Sequence, residues 1–267
     1  MGDNGENGAS VEAIFPILQD GLKTTSYGTT LYLMAGSNDN SEHIKSATIA
    51  GNSTTGGWAG NRMRPDLVLK FFPNNDAPNV AAYAMPAAAD DDRALFDGEG
   101  RNVSNGDDEK GVKVFTNGFS VCKFNNFKTD GSAGHNSLFP DADFFLMRAA
   151  EAYLMYAEAD ARQNNGTTTA QGTAYINALR TRANATTQTA YSLRQICDEW
   201  SREFYFEGLR RTTLIRFGYF GGNVNYNWSW KGGVKNGRNF DSHLNLFPIP
   251  TSDLVANEAN LIQNPGY

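Results

Sequence analysis

Three clusters in the sequence place aromatic side chains close to amide or guanidinium groups. Such clusters suit the binding of hydroxyl-rich ligands, because a sugar ring has an apolar C–H face that stacks on an aromatic ring and hydroxyls that need hydrogen-bonding partners. Two amides, Asn225 and Asn227, alternate with the aromatic residues of the third cluster. The candidate ligand-binding residues are Tyr27, Tyr32, Trp58, Asn61, Arg62, Tyr226, Trp228 and Trp230.

The tryptophans in these clusters also have structural interpretations. A buried structural tryptophan is the favoured alternative for Trp58. Trp228 and Trp230 alternate in a Gly-rich loop, where ligand binding and packing within a hairpin fit equally well. The sequence therefore leaves open how many of these rings reach a ligand.

Catalytic chemistry has little support. The three histidines, which belong to no metalloprotease, nucleophile-elbow or triad motif, are His43, His135 and His243. Glu151 and Glu158 share a helix face, but their Arg neighbours favour surface ion pairs over a catalytic pair. The acidic residues at 90–92 and 105–109 favour solvated turns over calcium loops. We predict a protein that is not an enzyme and that uses no cofactor and no metal.

The composition narrows the class of partner. The chain of 267 residues has 23 Lys and Arg against 29 Asp and Glu, a net charge of −6. This balance argues against nucleic acid as a ligand, since phosphate binding requires clustered cations. No stretch approaches the ~18 apolar residues of a membrane-spanning helix. The two cysteines, Cys122 and Cys197, lie in no metal or redox motif, and two separate buried thiols are favoured over a disulfide.

The 28 Asn and 27 Gly residues indicate that loops fill much of the molecule. We expect a disordered tail at 1–10, a loop-rich region with short strands at 11–140, a helical segment at 141–212 and an irregular region at 213–267. Strand-like runs lie at 30–34, 67–72 and 112–115. The predicted fold is therefore mainly α, with extensive irregular loops and short β-strands.

The helical segment contains three periodic stretches. Apolar spacing predicts helices over 144–162 and 170–182, joined as a hairpin, and a third helix over 192–211 that begins with a capping box of Ser192 and Gln195. Small residues are expected to let the first two helices approach closely. These are Ala149, Ala150, Ala174 and Ala178.

Four stretches, taken in order, resemble the C-terminal half of the SusD/RagB family. They are FLMRAAEAYL with YAEA at 145–159, INALRTRA at 176–183, REFYFEGLRR at 202–211, and the closing FPIP at 247–250 with QNPGY at 263–267. The segments at 57–62 and 92–93 are similar to the family more loosely. The resemblance is firm over 141–267.

This resemblance implies a SusD-like fold with a tetratricopeptide-type helical hairpin and a loop-rich region that faces the ligand. It implies an outer-membrane, surface-exposed, lipid-anchored parent protein of Bacteroidetes that captures oligo- or polysaccharide and delivers it to a SusC-like TonB-dependent transporter. The family's lipoprotein signal and first helices have no counterpart in this sequence, so we expect a C-terminal half. The alternatives are oligopeptide capture, as in the RagB branch, and a structural domain whose ligand site lies in the other half.

Overall fold

The computed structural model describes residues 9–25, 28, 33, 60–103, 114, 116–127, 132, 134–136, 138–222, 224–257 and 260–267. The chain divides into two compact units, residues 1–206 and 207–267. In chain order the strands and α-helices are β1 (Ala13–Ile17), β2 (Arg62–Met63), α1 (Pro65–Val68), α2 (Met85–Ala89), β3 (Phe96–Asp97), β4 (Phe119–Val121), β5 (Phe144–Arg148), α3 (Ala149–Gln163), α4 (Ala170–Arg182), α5 (Leu193–Phe204), α6 (Arg210–Arg216) and α7 (Thr251–Ala256). The predicted fold class, mainly helical with irregular loops and short strands, is confirmed.

Two small antiparallel sheets form in residues 1–206. One pairs β1 with β5, and the other has the strand order β2-β4-β3. Side chains of the second sheet, among them Phe96 and Phe119, lie in a buried apolar cluster, and the Phe71 ring meets the Phe96 ring edge to face at 5.5 Å. This core supports the short strand that carries Arg62, one of the candidate ligand-binding residues.

The sequence predicted a strand at 67–72, which is wrong, and a helix over 144–162, which is confirmed only from Ala149 onward. Pro65 occupies the first turn of α1, where its fixed φ favours a helix, and the chain then turns so that Phe71 and Phe72 enter the core. Residues 144–148 form β5 instead of helix, because β1 pairs with them. A short apolar run fits either structure, and a partner distant in sequence decides between them.

The helices α3 and α4 form the predicted hairpin. Of the four small residues expected between them, Ala150 is buried, but the two on α4 are not. Ala174 and Ala178 are exposed, whereas Gly172 and Ile176 lie on the buried face of α4. A Cβ atom at Gly172 would collide with the carboxylate of Asp160 on α3. The close approach therefore depends on a glycine, and the two alanines face outward.

The helix α5 begins as predicted and ends earlier. Ser192 and Gln195 form both hydrogen bonds of the capping box. The helix stops at Phe204, because Tyr205 is extended (φ −60°, ψ 142°) and Phe206 has a left-handed backbone (φ 61°). A separate helix, α6, then starts at Arg210, so the predicted helix over 192–211 is two helices.

Buried ion pairs surround α5. Glu199 and Glu203, one turn apart, are 1% and 3% exposed. Their cationic partners are Arg93, Arg148, Arg180, Arg182 and Arg202. Burial alone raises the pKa of Glu203, but the surrounding guanidinium groups outweigh burial and hold it well below the ordinary 4.5. These pairs tie α5 to α4, to β5 and to the turn at 91–93.

Both cysteines are buried, and each carries a thiol, as the sequence predicted. The closing residues are held within residues 207–267. Gln263 exchanges two hydrogen bonds with the backbone of Ile249, and the Tyr267 hydroxyl donates to the Leu246 carbonyl at 2.8 Å. No helix among the described residues is long and apolar enough to cross a membrane.

Candidate functional site

Five of the eight candidate ligand-binding residues lie in the described structure. Tyr27, Tyr32 and Trp58 are outside the described residues. Asn61 and Arg62 belong to the unit 1–206, whereas the remaining three candidates belong to the unit 207–267.

Arg62 is held in place by the small sheet. It lies in β2 opposite Ser120 of β4, and its Nη1 atom donates a hydrogen bond to the carbonyl of Val114. Partial burial, with a smaller contribution from the nearby charge of Arg101, lowers the pKa of the Arg62 guanidinium. Asn61 precedes it and is half-buried. Both side chains can offer hydrogen-bond donors at the edge of the apolar core.

In the second unit, Tyr226 belongs to a column of aromatic rings. Its ring is parallel to that of Tyr219, with 4.9 Å between centroids and 8° between planes, and Tyr219 in turn stacks with Phe217 at 6.1 Å. The Arg210 Nη2 atom donates to the Tyr226 hydroxyl at 2.6 Å. One face of Tyr226 is therefore taken by Tyr219, and the neighbouring Asn225 is exposed.

Trp228 is packed inside its own loop. Its ring contacts Phe220 at 6.2 Å and Phe240 at 6.2 Å, and the Lys231 ammonium lies 4.7 Å from its centroid. This environment matches the packing alternative for Trp228 better than a solvent-facing platform. Trp230 has a left-handed backbone (φ 66°). Its indole nitrogen donates no hydrogen bond to any described residue.

Sequence reasoning missed Lys231, which organises this loop. The side chain is buried, and its Nζ atom donates to the carbonyls of Phe220 at 3.1 Å and Tyr226 at 2.9 Å. Burial lowers its pKa, and no ion pair found in the described part of the chain involves it. The sequence contains one signal for this role, which is that Lys231 directly follows Trp228-Ser229-Trp230. A lysine beside tryptophans can place its ammonium group over an aromatic ring.

Three of the acidic residues weighed for catalysis or metal binding make structural contacts: Asp91, Asp92 and Glu158. Asp91 forms an ion pair with Arg93 at 2.8 Å, and Asp92 accepts a hydrogen bond from Asn184. Glu158 pairs with Arg162, four residues later, but its carboxylate is buried and does not lie on the surface as predicted. The described residues contain no group of three or more His, Cys, Asp or Glu that could hold a metal ion. Residues 105–109 are outside the described structure.

Comparison with known proteins agrees with the resemblance. A sequence model of the SusD family matches residues 11–267. The whole chain aligns at 39% identity with the starch-binding protein SusD of Bacteroides thetaiotaomicron and covers 51% of that protein. The chain thus spans about half the length of this curated relative.

Solved structures show the same fold. The surface glycan-binding protein A from Bacteroides thetaiotaomicron superposes with a TM-score of 0.58 at 20% identity, over 99% of this chain and 55% of that one. A laminarin-binding SusD-like protein superposes with a TM-score of 0.55 at 22% identity, over 100% of this chain and 51% of that one. With the family's sequence pattern present from residue 11 to the last residue and the fold in agreement, this chain belongs to the SusD family.

Proposed function

We propose that this chain is part of a cell-surface nutrient-binding protein that captures oligo- or polysaccharide and delivers it to a SusC-like TonB-dependent transporter in the outer membrane. The observation that carries the proposal is the 39% identity, across the whole chain, to a protein named for binding starch. Because that relative is a binding protein, we propose that the chain is not catalytic.

The described residues offer chemistry that suits a neutral, hydroxylated ligand. Asn225 and Asn227 are exposed beside Tyr226, and amides can both donate to and accept from hydroxyl groups. The net charge of −6 disfavours a polyanionic glycan. Asn61 and Arg62 add donors in the first unit. We assign hydroxyl recognition to these polar groups.

The described aromatic candidates differ in their contacts. Trp228 contacts Phe220 and Phe240, so its ring is already used in packing. The indole nitrogen of Trp230 is buried and donates no hydrogen bond to any described residue, so it does not present a donor to a ligand at the surface. Tyr27, Tyr32 and Trp58 keep their proposed role as stacking surfaces on the sequence argument alone.

One alternative has a specific observation in its favour. The chain spans only 51% of SusD, so the ligand site can lie in the half that this chain does not span. In that case this chain is a structural or interaction domain, and its loop aromatics serve packing, as Trp228 does.

Affinity electrophoresis distinguishes these functions. The chain is run in native gels that contain soluble starch or laminarin, and we expect its mobility to fall in at least one of them. Trp58→Ala should restore the mobility seen without polysaccharide. Phe247→Ala is the matched control, because Phe247 is 68% exposed and is not a candidate ligand-binding residue.

Three results would contradict the proposal. Unchanged mobility in every polysaccharide gel would favour the structural alternative. Tight binding of oligopeptides without any glycan binding would favour a RagB-like role. Release of reducing sugar from starch or laminarin would show that the chain is an enzyme.

A further inference from the structure

Trp230 combines two unfavourable features. Its backbone is left-handed, with φ 66° and ψ 12°, a conformation that bulky residues rarely adopt because the Cβ atom crowds the following carbonyl oxygen. Its indole nitrogen is buried and donates no hydrogen bond to any described residue, although a buried N–H group normally has an acceptor. The first feature lies in the main chain and the second in the side chain, so each destabilises this conformation independently of the other.

The surrounding loop holds Trp230 in this conformation. The next residue, Lys231, is buried, and its ammonium group donates to two backbone carbonyls of the same unit. The backbone N–H of Trp230 donates to the Lys235 carbonyl at 3.1 Å, and its own carbonyl accepts from the N–H of Gly233 at 3.0 Å. An unfavourable backbone conformation persists only where other contacts impose it, and such residues concentrate at ligand-binding and switch regions of proteins.

The turn that follows Lys231 can change its path without disturbing packed side chains. Gly232 and Gly233 have positive φ values of 67° and 80°, which glycine adopts without steric penalty. A Cβ atom at Gly233 would meet nothing within 4 Å, and residues 233–236 are all exposed. Exposed turns open locally with far less free energy than global unfolding requires. Trp230 therefore adjoins a part of the loop that rearranges easily, while Lys231 anchors the backbone beside it.

We propose that Trp230 is a ligand-responsive residue, which leaves its left-handed conformation when a hydroxylated ligand binds and turns its indole outward, so that the N–H group donates to a ligand hydroxyl. This role rests on the proposed function, since it requires a hydroxylated ligand. It adds a conformational step to that function, because in the ligand-free chain the indole N–H does not reach the surface.

The two states of Trp230 differ in what covers the indole. Without a ligand, the present conformation keeps part of the ring out of water, which favours it despite the unpaired N–H group. With a ligand, the apolar face of a sugar ring can cover the ring in the outward state, and the N–H group gains an acceptor. A ligand shifts a conformational equilibrium only through its different affinities for the two states, and these contacts supply that difference.

Nuclear magnetic resonance of the indole N–H groups tests the proposal directly. The chain is labelled with 15N and titrated with maltoheptaose and with laminarihexaose. It has four tryptophans, and Trp230→Phe identifies the cross-peak that belongs to Trp230. At saturation we expect this peak to move downfield in the proton dimension, because the N–H group acquires a hydrogen-bond acceptor. Mannitol at the same concentration is the control and should leave the peak in place.

The variant Trp230→Phe keeps an aromatic ring and removes the N–H group. Because that group has no acceptor in the ligand-free chain, the variant should melt close to the wild-type temperature, yet its affinity for the oligosaccharide in titration calorimetry should fall about tenfold. Tyr267→Phe is the matched control. It also removes one donor, which here has an acceptor at 2.8 Å in the Leu246 carbonyl, and it should leave the affinity unchanged.

If Trp230→Phe lowers the melting temperature, Trp230→Gly replaces it, because glycine suits the left-handed backbone. A Trp230 peak that stays in place while an oligosaccharide binds would overturn the proposal and leave the proposed function intact. Equal affinity of the wild-type chain and the Trp230 variant would do the same. If the wild-type chain binds neither oligosaccharide, that result contradicts the proposed function together with this role of Trp230.

Discussion

Replacing Glu203 by Gln removes a negative charge from the centre of the buried ion cluster. Its Oε1 atom accepts hydrogen bonds from Arg148 Nη1 at 2.6 Å and Arg182 Nη2 at 2.7 Å, and its Oε2 atom accepts from Arg93 Nη1 at 3.1 Å. Glutamine has nearly the same shape, but its amide group presents N–H donors to guanidinium groups that are themselves only donors. The substitution therefore changes charge and hydrogen bonding while keeping volume.

The expected loss of unfolding free energy is about 3 kcal/mol. Removing one partner of a buried ion pair costs about 3–5 kcal/mol. The lower end applies because other acceptors remain: Arg93 keeps Asp91 and Glu199, and Arg148 keeps Glu12 at 2.9 Å. Each of these guanidinium groups thus loses one carboxylate partner but keeps at least one other.

Equilibrium urea unfolding at pH 7, followed by far-UV circular dichroism, measures this loss. Arg194→Gln is the matched control on the same helix, because Arg194 is 56% exposed and lies 3.8 Å from Asp198. Its expected cost is below about 0.5 kcal/mol. A loss below about 1 kcal/mol for Glu203→Gln would refute the conclusion that these charges stabilise α5 from within a desolvated site.

Three further perturbations test other contacts. The folded-state pKa of Glu203 lies below 4.5, so the contribution of this carboxylate to the free energy of unfolding is present at neutral pH and is lost as the pH falls below about 4.5. In urea unfolding at pH 7, 5 and 3.5, Glu203→Gln should therefore lose less stability with acid than the wild-type chain does. Lys231→Met removes the donor to two part-buried carbonyls, so hydrogen exchange at 220–240 should accelerate, whereas Lys235→Met, at an exposed position, should not change it. Gly172→Ala should destabilise the native chain, because the added Cβ would collide with the Asp160 carboxylate that accepts hydrogen bonds from Thr169. In an Asp160→Ala background the loss should be smaller, since only the Cβ of residue 160, at 3.2 Å, then faces the added Cβ, and thermal denaturation measures both.

Local signals predicted the second helix of the segment and the start of the third. The helix over 170–182 has the predicted bounds, and the capping box at Ser192 forms, since both depend on residues within a few positions of one another. The strand at 144–148 was missed because its partner, β1, lies more than 120 residues away. Periodicity within a short window contains no information about such a partner.

The candidate site was predictable in composition but not in arrangement. The sequence shows that Tyr226, Trp228 and Trp230 share a Gly-rich loop, yet it does not show which faces of the rings are covered. In the structure, Tyr219 covers one face of Tyr226, while Phe220 and Phe240 pack against Trp228. These contacts join residues from separate turns of irregular backbone. The periodicity that predicts helices and strands therefore does not predict them.

The cations of this chain bind both carboxylates and backbone carbonyls. In residues 1–206, Arg93 and Arg148 bind carboxylates. In residues 207–267, Lys231 binds backbone carbonyls, and Arg211 donates to the Leu244 carbonyl at 2.8 Å while lying 3.8 Å from the centroid of the Phe247 ring. Carboxylates titrate in acid, whereas carbonyls and aromatic rings do not. Acid below about pH 4.5 therefore weakens the carboxylate contacts that hold α5, whereas the backbone carbonyls that accept hydrogen bonds from Lys231 do not titrate.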